Sequence, residues 1–384
     1  MEDAFSKGFT QIRPDEQCYR DALITMSRKT YAPEVGEFVD RTLSSMKDRA
    51  IIPDNNCYSA AILAWKNVAT NLEVDDRDAS ARRTLQLLRE MILAYHRTTK
   101  VLIRPTVENY NHVLEALAVT SRTTKAVVDA EMLLQAMEEA SRDNDPSPKD
   151  IGESFPVLQP TIDTYRLVLD VWSKSKSPDK VPRAWNILKR LLGRIDKLST
   201  LENPEDQSAV VSVFNSFIKV CSRPSVDGEA ERTKILKVAL NSAEELQKMG
   251  LKPNAATYVA LMIACQKLIR EGVDRQRMLE NVFRRCCEAG FVDQSVLSEF
   301  QSLASSYLYA KLVVAHSREV EGIKVVPESW TRNNTEFLVK TKEGRKVLPL
   351  SIDGKFTVTL QAKEHKMRNL RVRRNQRFLR GGRM

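Results

Sequence analysis

The sequence predicts an all-α protein, an α-solenoid of about six to seven helix-pair repeats, and three observations predict it. A stretch recurs: "RPTVENYNHVLEAL" at 104–117 returns as "QPTIDTYRLVLDVW" at 159–172. An aromatic residue followed by apolar or small residues at +3, +4 and +7 is found six times, which is the buried stripe of one helix face. A second stripe of the same spacing lies between the first ones, so the repeating unit is a pair of helices. One pair cannot bury its own apolar faces, whereas stacked pairs share a continuous core.

In chain order, residues 1–14 read as the end of a preceding repeat or an N-terminal cap, because "FSKGFTQIRPD" has the form of a second helix running into a new start. Glu2 and Asp3 open the chain, unlike an Arg-rich, acid-poor transit peptide, and the chain is read as starting inside its array. The repeats occupy 15–318. Their first helices carry Tyr19 with Ala22, Leu23 and Met26; Tyr58 with Ala61, Ile62 and Trp65; and Tyr110 with Val113, Leu114 and Leu117. Tyr165 follows with Val168, Leu169 and Trp172, then Phe214 with Phe217, Ile218 and Cys221, and Tyr258 with Leu261, Met262 and Cys265.

Five of these aromatics stand five residues after a proline (Pro14, Pro53, Pro105, Pro160, Pro253), leaving Asp15, Asp54, Thr106, Thr161 and Asn254 to cap the helices. The second helices are clearest in Thr84–Leu87–Leu88–Met91, Ala130–Leu133–Leu134–Met137 and Ala184–Ile187–Leu188–Leu191. Polar stretches such as "NLEVDDRD", "SRDNDPSPKDIGESFP" and "DKLSTLENPEDQ" read as loops, and "FVDQSVLSEF" opens a seventh unit. Residues 319–362 form an extension whose alternating β-branched pattern predicts a short hairpin at Asp353–Gly354. Residues 363–384 read as a basic disordered tail.

Composition narrows the function. No run approaches the roughly eighteen apolar residues of a membrane span. Six cysteines without C-x-x-C spacing and four histidines argue for buried thiols in a reducing compartment, not zinc or disulfides. Of the net charge of +10, the tail holds +8 (nine basic residues and one Glu), so residues 1–362 carry 51 basic and 49 acidic side chains. Any polyanion site in the body must therefore come from placement of charge. H-x-E paired with C-x-x-C, and a Gly-rich phosphate loop, are both missing from the sequence. Neither catalytic residues, nor a metal, nor a cofactor is expected, and a monomer is.

"KMGLKPNAATYVALMIACQK", with Gly250, Lys252, Pro253, Asn254, Thr257 and Tyr258, resembles the pentatricopeptide repeat family, as do the other units between about 14 and 305. The related tetratricopeptide repeat is the nearest rival, but its W-x-x-L-G-x-x-Y signature is missing. The resemblance implies a right-handed solenoid that binds single-stranded RNA along its concave face, about one base per repeat, acting on organellar transcripts in a mitochondrion or plastid.

It also implies that the residue after each aromatic reads the base together with the capping residue of the next unit. Those pairs would be Arg20 with Asp54, Ser59 with Thr106, Asn111 with Thr161, Arg166 with Val210, Asn215 with Asn254, and Val259 with Asp293. Arg28, Lys66, Lys174, Arg223 and Lys267 would meet the phosphates, and Arg371, Arg373, Arg374, Arg377, Arg380 and Arg383 of the tail would add nonspecific affinity. Two residues before the aromatic, where the family carries an aliphatic residue for sandwiching bases, stand Gln17, Asn56, Glu108, Asp163, Ser212 and Ala256. These polar positions keep open an alternative, a solenoid scaffold that holds a protein partner in its groove.

Overall fold

The computed structural model describes residues 14–28, 33–71, 77–98, 101–120, 124–142, 158–195, 203–223, 228–334, 338–341 and 346–350. The described residues are mostly helical, with fifteen α-helices and four short strands, so the chain is all-α. It divides into two compact units, Met1–Glu271 and Gly272–Met384, a boundary that falls inside the array read from the sequence as one domain. The hairpin expected at Asp353–Gly354, the N-terminal residues 1–13 and the basic tail lie outside the described residues.

The first unit holds α1 (Glu16–Ser27), α2 (Pro33–Asp48), α3 (Asn55–Thr70), α4 (Arg77–Thr98), α5 (Val107–Thr120), α6 (Thr124–Arg142), α7 (Ile162–Lys174), α8 (Lys180–Ile195), α9 (Pro204–Cys221), α10 (Glu229–Lys248) and α11 (Ala255–Leu268). Odd-numbered helices are the ones that carry the repeated aromatic, Tyr19, Tyr58, Tyr110, Tyr165, Phe214 and Tyr258. Each packs on the next odd-numbered helix, and each even-numbered helix through α10 packs against the odd-numbered helices on both sides of it in sequence where both contacts are extensive, as with α4 against α3 and α5. Each stripe is buried: Tyr165, Val168, Leu169, Phe214, Phe217 and Ile218 are fully enclosed, as are Thr84, Leu87, Leu88 and Met91 of the second helix α4. Only Ala22, Met26 and Trp65 among the first-helix stripe residues retain partial exposure.

The helix starts follow the sequence logic. Asp15, Asp54, Thr161 and Asn254 each accept a bond from the backbone N–H three residues on, at 2.9, 2.9, 3.3 and 3.1 Å. At Thr161 and Asn254 the third helical residue returns the bond, completing a capping box. Where α10 ends, Gly250 takes φ 76°, and Leu251 N–H reaches back to the Leu246 carbonyl at 2.9 Å. Ala50, at φ 57°, makes the same turn between α2 and α3, with Ile51 N–H on Met46 O at 2.9 Å. Close packing is visible at Gly36, where an added Cβ would lie 2.7 Å from the Trp65 ring.

One expectation from sequence is corrected. "DKLSTLENPEDQ" was expected to be a loop, but Asn203 caps a helix there: its side chain accepts from Glu205 N–H, and Pro204 occupies the first turn. Proline's fixed φ and absent N–H suit that position, so the polar stretch starts α9 several residues before its apolar stripe.

The second unit contains α12 (Val273–Ala289), α13 (Gln294–Leu303), α14 (Ser306–Leu312) and α15 (Glu328–Thr331). Asp293 caps α13 by accepting from Val296 N–H at 2.8 Å. The unit also holds two antiparallel hairpins, β1 (Arg318–Val320) with β2 (Ile323–Val325), and β3 (Val339–Lys340) with β4 (Lys346–Val347). The first hairpin turns on Glu321 and Gly322 at φ 51° and 78°, the two positive values of a type I′ turn. Phe283 of α12 and Phe300 of α13 are both buried and stack at 4.0 Å between centroids. No described helix is long and apolar enough to cross a membrane.

Candidate nucleic-acid interface

Successive first helices run side by side in the first unit, and at four junctions the residue after the aromatic lies near the cap of the following helix. At the α9–α11 junction, Asn215 Nδ2 donates to Asn254 Oδ1 at 3.1 Å. Thr257 Oγ1 ties both together, donating to Asn215 Oδ1 at 2.6 Å. At the α5–α7 junction, Asn111 Oδ1 accepts from Thr164 Oγ1 at 2.8 Å, and Thr164 bonds the Thr161 hydroxyl at 3.1 Å. At α3–α5, Asn109 Nδ2 donates to Ser59 Oγ at 2.7 Å while Asn109 Oδ1 accepts from Thr106 Oγ1 at 2.9 Å. At α1–α3, Arg20 Nε meets Asp54 Oδ2 at 3.0 Å, and Asp54 raises the Arg20 pKa.

The sequence reading names Thr257 only as part of the repeat motif and passes over Asn109 and Thr164, which stand at the same place before Tyr110 and Tyr165. Asn109, Thr164 and Thr257 are fully buried, and each joins a reading position to the cap beside it. Their signal was the small polar residue standing before Tyr110, Tyr165 and Tyr258.

The junctions differ in what they leave for a ligand. The Asn254 amide N–H₂ and that of Asn111 have no partner among the described residues, so both junctions offer donors beside a half-buried surface. Ser59 already donates to Asn55 Oδ1 at 2.9 Å and accepts from Asn109, leaving acceptor capacity only. The Arg20 fork is occupied by Glu16, Gln17 and Asp54. Donor junctions suit an acceptor-rich base edge; the Arg20 junction is a closed ion pair.

The fourth expected pair, Arg166 with Val210, does not form. Arg166 is held within its own helix, by Asp163 at 2.6 Å and Asp170 at 2.9 Å, and Val210 is buried inside α9. The early start of α9 at Pro204 turns the expected cap position into helix interior. Asp163, one of the polar positions two residues before an aromatic, is neutralised by Arg166, whereas Glu108 stays 78% exposed and meets His112 only at 3.8 Å.

The expected phosphate contacts divide in two. Arg28, Arg223 and Lys267 are exposed and have no ion-pair partner among the described residues. Lys66 pairs with Glu115 at 3.1 Å, and Lys174 Nζ donates to the Val119 carbonyl at 2.6 Å. Arg77 Nη2 reaches the same carbonyl at 3.3 Å, so two cations sit on the negative end of α5. Burial first, then the charges of Lys219, Arg77 and Arg223, bring the Lys174 ammonium down to about 8, opposed by Asp170. Lys180, 2% exposed, lies near Arg223 and is likewise lowered to about 8, chiefly by burial. Positive charge is thus concentrated where α5, α7 and α9 end, which a nearly neutral composition conceals.

The buried thiols offer no reactive alternative. Cys57, Cys221, Cys265 and Cys287 are buried, and burial raises each to about 12, so they are neutral packing groups. Among the described residues no cluster of His, Cys, Asp and Glu could hold a metal ion. Set against known proteins, the chain matches no family model and no curated protein.

Proposed function

We propose that the chain is an RNA-binding protein of the pentatricopeptide type. In this reading its helix pairs form a right-handed solenoid, and the first helices line a groove for single-stranded RNA. It acts on organellar transcripts by occupancy and recruitment, without breaking bonds. The observation that carries the reading is the α9–α11 junction, where Asn215 and Asn254 meet at 3.1 Å and leave amide donors for one base. The repetition of that geometry at α5–α7, through Thr164, supports a series of sites, one per unit.

The test is fluorescence anisotropy of the full chain with a random single-stranded RNA pool at several salt concentrations. Each phosphate contact contributes about −0.7 to the log–log salt slope for single strands, so replacing Arg28, Arg223 and Lys267 by Ala should flatten it by about 2. An unchanged slope and affinity would place the RNA affinity elsewhere, on the tail arginines Arg371 to Arg383. A second reading, a scaffold for a protein partner, would then gain weight. It is favoured by the junctions at Arg20 and Ser59, whose groups are already consumed internally.

A pH series gives a separate check. Lys174, lowered to about 8, binds phosphate only when protonated, so RNA affinity falls as pH rises through 8. We expect a loss of about tenfold between pH 7 and 9, the worth of one charge-assisted hydrogen bond. Arginine does not titrate in this range, so Lys174→Arg should flatten the profile. A variant whose profile overlays the wild type would remove Lys174 from the interface.

A further inference from the structure

The second unit contains a cavity of about 300 Å³ that none of the repeat features explains. It is lined by Phe283, Arg284, Cys287 and Glu288 of α12, Leu312 of α14, His316, and Ser329, Trp330 and Arg332 around α15. Such a volume lies at the lower end of small-ligand pockets, enough for one ring system and its substituents.

Three kinds of chemistry meet there. The first is aromatic surface: Trp330 is partly buried and His316 exposed, their centroids 5.8 Å apart and their planes opened by 38°. Phe283, which also lines the cavity, meets Trp330 edge-on at 5.7 Å and 89°. The second is positive charge. Arg332 is anchored by a bond from Nη2 to the Glu288 carbonyl, and Arg284 shares the single carboxylate of Glu280 with Lys311, at 2.8 and 3.3 Å. Two cations on one carboxylate leave a net positive charge for an anion. The third is the Glu288 side chain, exposed, with no hydrogen bond or ion pair among the described residues. A carboxylate with both oxygens unengaged is acceptor-only and best matched by two adjacent N–H donors.

We propose that this cavity binds a guanine nucleotide, with the purine against Trp330 and His316, its N1–H and N2–H₂ edge on the Glu288 carboxylate, and its phosphate toward Arg284 and Arg332. Guanine is selected because it presents two neighbouring donors on one edge. Adenine and cytosine present one amino group beside an acceptor, which would face Glu288 with repulsion. The site is built within the second unit, from α12, the end of α14 with His316, and α15, and it stands whether or not the helix pairs of the first unit bind RNA.

The experiment is isothermal titration calorimetry of the full chain with GMP, AMP and CMP, repeated with Glu288→Gln and Trp330→Leu. GMP should bind at least tenfold more tightly than AMP or CMP. Glu288→Gln, an exposed and nearly isosteric change, should cost GMP about tenfold and leave AMP affinity unchanged or improved, erasing the preference. Trp330→Leu should weaken all three nucleotides, with circular dichroism reporting whether the unit remains folded. Equal affinities for GMP and AMP, a GMP affinity indifferent to Glu288→Gln, or no heat with millimolar GMP would each overturn the proposal.

Discussion

Replacing Glu138 by Ala should destabilise the first unit by about 3 kcal/mol, the range seen when one partner of a buried charge pair is removed. Glu138 of α6 is 5% exposed and ties three helices together. Its carboxylate accepts from the Tyr165 hydroxyl of α7 at 2.6 Å and from Arg190 of α8, through Nε at 3.1 Å and through Nη2. Removing it leaves the hydroxyl of a fully buried tyrosine without a partner and a guanidinium without its counter-ion. Arg190 is 37% exposed and can recover some hydration, which keeps the expected loss at the lower end of the range. The check is a urea unfolding midpoint. A companion double variant, Glu138→Leu with Arg190→Met, removes both charges and should recover most of the loss, since apolar replacements of a whole buried pair are often neutral. A midpoint unmoved by Glu138→Ala would show that the three-helix tie carries no stability.

This tie also illustrates what the sequence makes legible and what it hides. The stripes at Tyr58, Tyr110, Tyr165 and Tyr258 were readable because burial follows helical periodicity, a local property of the chain. The caps Asp54, Thr161 and Asn254 were readable for the same reason, since a cap and the N–H it serves lie three residues apart. Glu138, Tyr165 and Arg190 stand 27 and 52 residues from one another across the bonds they make, and nothing local signals their meeting.

The start of α9 was hidden differently. Proline and acidic residues at 204–206 serve equally in a loop and in a first helical turn, and only the Asn203 side chain on Glu205 N–H decides between them. The β1–β2 hairpin escaped notice because its strands are three residues long, too short for an alternation to register. In the candidate interface, the resemblance paired Asn215 with Asn254 but said nothing of the hydrogen bonds that hold them. Asn215 and Asn254 are 39 residues apart, and the bond between them decides which of their groups remain for a ligand.

Lys180→Met should stabilise the protein at neutral pH by up to roughly 3 kcal/mol, the value of a shift from 10.5 to about 8 at about 1.36 kcal/mol per unit. Lys180 is 2% exposed and makes one side-chain hydrogen bond among those described, to the Ser175 carbonyl at 3.3 Å. It occupies the first position of α8, where the helix dipole disfavours a cation, and Arg223 adds like charge. No carboxylate offsets these costs among the described residues. The sign follows from proton counts: the folded pKa lies below the unfolded one, so between about pH 8 and 10.5 the unfolded chain binds more protons and stability rises with pH. Below pH 8 the penalty is complete. The advantage of Lys180→Met should therefore be largest at pH 7, shrink across pH 8 to 10.5, and vanish above it. Chemical unfolding of both proteins at pH 7, 9 and 10.5 measures the difference, and a pH-independent gap would mean that Lys180 is not held in an unfavourable charged state. A stabilised variant that also binds RNA less well would link the cost to function: a lysine kept at a loss near Arg223 supplies positive potential where α9 ends.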